Sequence, residues 1–167
     1  MKKIIILCSV IMASAALFAF AAREKKPDAK TASTTEHQIM APSDLKWGDM
    51  PPGLPVGAKM AVLNGNPTKA GPFTVRMQAP AGYKIAPHTH PTSERLTVIS
   101  GTFRIGMGNK FDEAATKEMS QGSYLVLPPG MTHFVSLTSE AIVQIDSEGP
   151  FQIKYVDAAD DPRNAKK

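Results

Sequence analysis

The sequence predicts an all-β fold, a sandwich or barrel of short strands, on three observations. From Ala61 onward, short apolar runs recur at a spacing of about 8 to 12 residues. Phe73, Val75, Met77 and Ala79 alternate with Thr74, Arg76 and Gln78, the two-residue period of a half-buried strand. Glycine or proline stands at nearly every junction between the runs, where a chain that reverses direction needs turns.

Taken in order, the elements begin with a targeting segment at residues 1–21. Lys2 and Lys3 give it a basic start, Ile4 to Phe20 is almost wholly apolar, and Ala19-Phe20-Ala21 has the small-x-small pattern of a peptidase site. Cleavage is the expected fate, which leaves no stable membrane insertion; an uncleaved anchor is the alternative, since the apolar run is just long enough to span. The chain's one cysteine, Cys8, lies inside this segment, so the mature protein has neither disulfide nor thiolate. A periplasmic or secreted destination follows. Residues 22–37, rich in Lys, Ala, Thr and Ser, read as a disordered linker that includes His37. The folded domain is expected over 38–157. It opens with an irregular segment, Asp44 to Gly57, in which Leu45, Trp47, Met50, Leu54 and Val56 are punctuated by Pro51, Pro52 and Pro55; it is expected to lie across a sheet, with Trp47 packing there. Strands are then expected at Phe73–Ala79, Leu96–Ile99, Thr102–Gly106, Ser123–Leu127, His133–Leu137, Ala141–Asp146 and Phe151–Val156, with one helical turn within Asp112–Met119. Residues 158–167 read as a polar C-terminal tail.

Charge excludes one class of partner. The formal charge of +4 falls to about +2 once Lys2 and Lys3 leave with the signal, and the remaining basic residues are scattered, so no nucleic-acid partner is expected. The mature length of about 146 residues suffices for one domain with a real core.

The chemistry concentrates in four residues. His88 and His90 are two apart, so in an extended strand both imidazoles point to one face. Pro87 and Pro91 bracket the pair, and each proline pushes the residue before it toward extended dihedrals. Pro91 lacks a backbone donor, so strand pairing should stop there and the chain turn through Thr92 and Ser93 to Glu94. His133 follows Pro129-Gly130, a pair suited to the two central positions of a type II turn. Three imidazoles and a carboxylate make a mixed nitrogen and oxygen set that suits one divalent transition ion (Mn, Fe, Co, Ni, Cu or Zn) better than Ca or Mg.

These residues resemble the two motifs of the cupin superfamily. Gly82, five residues, His88, one, His90, three, Glu94, six, Gly101 agrees with the first motif at each fixed position. Gly122, five residues, Pro128, one, Gly130, two, His133 agrees with the second, whose last position, usually Asn, is Leu137 here. The departure removes a polar side chain but no metal ligand. The resemblance implies a single-domain cupin jelly-roll β-barrel (double-stranded β-helix), with His88, His90, Glu94 and His133 as metal ligands and Glu94 also as the candidate catalytic base. It further implies a small-molecule substrate or ligand, with dioxygenase-like chemistry the most concrete version, and a homodimer as an option. The alternative function is a non-catalytic extracytoplasmic module that binds a small ligand or a metal. Strand parity puts Leu96, Val98, Val135 and Leu137 on the walls of the site, and Arg76, Gln78, Gln144 and Asp146 are the candidates for orienting a polar substrate.

Overall fold

The computed structural model describes residues 37–165; the expected signal peptide at 1–21 and nearly all of the expected linker at 22–37 lie outside the described residues. The folded unit begins at Gln38. Its strands are β1 (Gly48–Asp49), β2 (Lys59–Asn64), β3 (Gly71–Ala79), β4 (Lys84–Thr89), β5 (Glu94–Gly101), β6 (Phe103–Met107), β7 (Lys117–Met119), β8 (Tyr124–Leu127), β9 (His133–Ser136), β10 (Ala141–Gly149) and β11 (Lys154–Tyr155). They form a six-stranded sheet in the order β1-β2-β3-β10-β5-β8 and a five-stranded sheet in the order β11-β4-β9-β6-β7. All pairings are antiparallel. No helix among the described residues is long and apolar enough to cross a membrane.

The two-residue period decides which side chains meet between the sheets. Phe73, Val75 and Met77 of β3, Val143 and Ile145 of β10, and Leu96 and Val98 of β5 are buried on the six-stranded side. Ile85, Phe103, Ile105 and Val135 answer them from the five-stranded side. Each such side chain, taken out of water, contributes on the order of 2 kcal/mol. The fold is all-β, as expected, but no ladder among the described residues joins the two sheets into a closed barrel. Three of the edge strands, β1, β7 and β11, are only two or three residues long, too short to carry a continuous ladder across the gap.

Several boundaries move for identifiable reasons. The Phe151 N–H goes to the Pro67 carbonyl in a loop instead of a strand partner, and the strand expected at Phe151–Val156 contracts to Lys154–Tyr155. Glu94 already belongs to β5, one residue beyond the turn that Pro91 starts. Asp112 caps a single 3-10 turn, Glu113–Ala115, by accepting from the Ala114 N–H, and β7 follows. At Gly101, φ is +73° and a Cβ would run into the Glu140 carbonyl, so this junction accepts glycine alone.

The irregular proline-rich segment does lie across the sheets, and two buried tyrosines hold it there. Tyr155 Oη donates to the Gly53 carbonyl and Tyr83 Oη to the Pro55 carbonyl, each at 2.8 Å. Burial pushes the Tyr83 hydroxyl up to about 12, so it remains a neutral donor. The C-terminal stretch makes two further 3-10 turns, Ala158–Asp160 and Pro162–Asn164, and the second returns Arg163 to the Ile153 carbonyl.

Candidate metal centre

The five-stranded sheet places two of the histidines face to face. His88 of β4 is the direct cross-strand partner of His133, the first residue of β9. The register between these strands shifts between Ile85 and His88, where Pro87 offers no backbone donor. That irregularity lets Ile85 and His88, three apart, both turn inward and be buried. His90 follows one residue after β4, and its carbonyl accepts from the Gly130 N–H at 2.9 Å. Gly130 sits at φ +76°, and the Met131 N–H closes on the Pro128 carbonyl, so the type II turn expected from Pro129-Gly130 is present and ties the two motifs together. Glu94 comes from the opposite sheet, at the start of β5. The four side chains therefore meet between the two sheets.

Hydrogen bonds fix which ring nitrogen is available. Nδ1 of His88 lies 2.7 Å from the Ala86 carbonyl, that of His90 2.7 Å from the Gln152 carbonyl, and that of His133 3.1 Å from the Met131 carbonyl. A carbonyl only accepts, so each Nδ1 carries the hydrogen and each Nε2 presents a lone pair. The three rings offer ligand atoms that all lie within 4.8 Å of one another. Glu94 Oε2 stands 3.4 Å from His133 Nε2 and 3.6 Å from His90 Nε2. His88, His90, His133 and Glu94 are all buried. Phe151 stacks on the His90 ring, with centroids 4.3 Å apart and planes at 17°, and holds it from the outer side.

Such an arrangement of acceptors is costly without a cation at its centre. Burial lowers the His88 imidazole to about 3, with the charges of His133 and His90 adding to the effect, and burial also lowers His90. These two rings are neutral at neutral pH. Burial pushes the Glu94 carboxyl up, but the attraction of the neighbouring His133, His90 and His88 rings outweighs it and holds the group below its usual range. Neutral imidazole lone pairs and a carboxylate, dry and mutually facing, match the donor set of a divalent transition ion. The three histidines are thus placed to hold a metal ion, and Glu94 stands beside two of them, His90 and His133.

The site opens into a cavity of about 300 Å³. Its walls are mostly apolar and include Leu96, Val135, Phe73, Met77, and Met50 and Leu54 of the proline-rich segment. Leu96 and Val135 are where strand parity puts them; Val98 and Leu137 are buried but lie in the core behind the cavity wall. Arg76, Gln78, Gln144 and Asp146 do not line the cavity. They alternate with the buried residues of β3 and β10 and so face outward, where Gln78 bonds Glu140 and Asp146 bonds Thr74 and Gln144. Trp47 also stays off the cavity. Phe151, Gln152 and Arg163 were not foreseen as parts of the site. Asp161-Pro162 before Arg163 is a turn-initiating signal that could have flagged the last of these.

Comparison with protein families decides the family. The model of the ChrR cupin-like domain matches residues 35–152, most of the chain and all four converging side chains. The chain belongs to the ChrR cupin-like family.

Solved structures agree on this cupin's fold. The polyketide cyclase RemF from Streptomyces resistomycificus is similar at a TM-score of 0.64 and 14% identity, over 76% of this chain and 90% of that one. A candidate acetylacetone dioxygenase from Methylibium petroleiphilum gives 0.58 and 17%, over 78% and 88%. An RmlC-like cupin from Shewanella frigidimarina gives 0.52 and 17%, over 69% and 94%. At these identities the likeness speaks for the cupin architecture alone. No curated protein matches the sequence of this cupin.

Proposed function

We propose that this cupin is an exported, single-domain, metal-dependent enzyme acting on a small organic molecule, with His88, His90, Glu94 and His133 as the ligands of one divalent transition ion. The observation that carries the reading is the set of three Nδ1–H···O=C bonds, which leave three clustered Nε2 lone pairs free, those of His90 and His133 beside the buried Glu94 carboxylate. A bound ion would supply Lewis-acid polarisation and, in the case of Fe or Cu, access to dioxygen chemistry. Dioxygenase-like turnover is the most concrete version of the proposal.

The chain's own residues would do the rest. The apolar walls exclude bulk water and keep the local dielectric low, which strengthens every charge interaction inside. The backbone carbonyls of Ala86, Gln152 and Met131 fix ring tautomers and raise ring basicity. Glu94, buried and anionic, serves as the fourth ligand or, released from that duty, accepts a proton from substrate. A second reading, a binding module without turnover, draws on one fact: Glu94 is the one carboxylate lining the cavity among the described residues, so a Glu94 committed to the metal leaves no separate base.

The segment at 1–21 supports periplasmic or secreted residence, with the ion acquired outside the cytoplasm; the affinity order there favours Zn or Cu. Tyr124 and Val126, both more than half or about half exposed on the edge strand β8, support a homodimer formed through that edge. The test of function is oxygen uptake and substrate loss over a small-molecule panel with protein loaded in turn with Fe(II), Mn(II), Ni(II), Zn(II) and Cu(II). Turnover that disappears in His133→Ala supports the enzyme. Tight ligand binding without turnover under any metal supports the module.

A further inference from the structure

The cavity carries one feature that the metal ligands do not account for, a guanidinium at its rim. Arg163 lines the same cavity as the three histidines, and among the described residues it is the one cationic side chain to do so. It comes from the Pro162–Asn164 turn, far along the chain from both motifs. Asp161 grips it on one edge: Nε lies 2.7 Å from Oδ1 and Nη2 2.6 Å from Oδ2. Nη2 also donates to the Ile153 carbonyl at 3.0 Å. The guanidinium packs beside Gly53 of the proline-rich segment, where a Cβ would lie 3.4 Å from its central carbon. These contacts fix the group at a cavity rim, and none of them involves Nη1 among the described residues.

A staple for the C-terminal turn would need only the Asp161 edge and Ile153. Two further N–H donors are left on Nη1, and either one can donate a charge-assisted hydrogen bond to a carboxylate oxygen. The other polar side chains on the rim, Thr68 and Gln152, are exposed, and the Thr68 hydroxyl is already bonded to Asn66. Between rim and histidines the walls are apolar. The volume of about 300 Å³ corresponds to about ten waters, and so to an organic molecule of about ten non-hydrogen atoms.

We propose that the ligand of this cavity is a small monocarboxylate with an apolar body, its carboxylate held by Arg163 Nη1 at the rim and its body against the methionine- and proline-lined walls. This rests on reading the histidine cavity as the ligand site. Arg163 is then a specificity-determining residue, and Asp161 positions it while competing for its charge.

The test uses the purified full-length protein, metal-free and Zn(II)-loaded, titrated with benzoate and with benzamide as its neutral isostere. Benzoate is expected to bind more tightly than benzamide, and Arg163→Gln to weaken benzoate by about tenfold while leaving benzamide unchanged. Asp161→Asn keeps the turn cap but frees the guanidinium, and is expected to tighten benzoate severalfold. That second variant keeps the test decisive if Arg163→Gln disturbs the fold. Equal benzoate affinity in wild type and Arg163→Gln overturns the proposal, as does benzoate binding no tighter than benzamide. Benzoate binding that requires Zn(II) and ignores Arg163 puts the anion on the metal, overturning this proposal while sparing the metal site. Arg163-dependent benzoate binding in a protein that takes up no Zn(II) has the opposite meaning.

Discussion

His88 and His133 are direct cross-strand partners in the five-stranded sheet, with ring centroids 4.1 Å apart and Nδ1 of each bonded to the carbonyl two residues before it. Two imidazoles so close, both buried, set two Nε2 acceptors side by side. The pair gains from a cation that binds both at once. Several outcomes depend on this relationship.

Removing one partner should remove most of the metal affinity. His133→Ala is expected to weaken Zn(II) binding by more than about 100-fold, since losing a group that merely orients a ligand already costs about 10- to 100-fold. The unloaded protein should stay folded, with a stability loss on the order of a truncated buried side chain. Competition titration against a chromogenic chelator measures the first, and urea denaturation the second.

Acid should destabilise the metal-free protein. His88 titrates at about 3 when folded against about 6.5 unfolded, so below pH 6.5 the unfolded chain binds more protons and stability falls with pH down to about 3. His90 shifts in the same direction. Glu94, lowered in the fold, adds stability above its ordinary range and loses it as pH falls through the folded value, so it also works against acid. Urea midpoints at pH 7.5 and 5.0 should differ in wild type and differ less in His88→Gln. Equal midpoints would show that the imidazoles are not held neutral.

Phe151 should matter to both fold and site. Phe151→Ala removes the face stacked on His90 and the edge contact with Phe73, whose centroid lies 5.3 Å away. A loss of ~2 kcal/mol is expected for a partly buried ring, with a severalfold loss of Zn(II) affinity as His90 gains freedom. Thermal unfolding with and without Zn(II) separates the two effects.

The tyrosine latches set the order of the proline-rich segment. Tyr83→Phe and Tyr155→Phe each remove one buried hydrogen bond to it, at about 1 kcal/mol apiece. Faster proteolysis within Met50–Gly57, at unchanged Zn(II) affinity, is the expected result.

Much of the site was legible because its determinants are local. His88 and His90 share a face by the two-residue period, Pro91 forces the turn that brings Glu94 round, and Pro129-Gly130 sets the turn before His133. The alternation in β3 and β10 likewise marked the inner face. What the sequence concealed depends on distant contacts. Nothing near Phe151 announces that it stacks on a residue some sixty positions earlier. The C-terminal stretch reads as a polar tail by composition, yet the Asp161-Pro162 turn carries Arg163 back to the cavity. The outward placement of Arg76, Gln78, Gln144 and Asp146 follows from the same alternation that buries Phe73 and Val75, so polarity alone misdirected the choice of substrate-orienting residues. A closed barrel was expected, but closure depends on edge strands whose shortness no apolar run reveals.

The most direct measurement is X-ray absorption at the edge of the bound metal, made on full-length protein reconstituted to saturation and paired with titration of His88→Ala/His90→Ala/His133→Ala. The account predicts one ion per chain, three imidazole nitrogens and at least one oxygen in its shell, and no binding by the triple variant. An ion with fewer than three imidazoles around it, or one that the triple variant binds as tightly as wild type, would contradict the account.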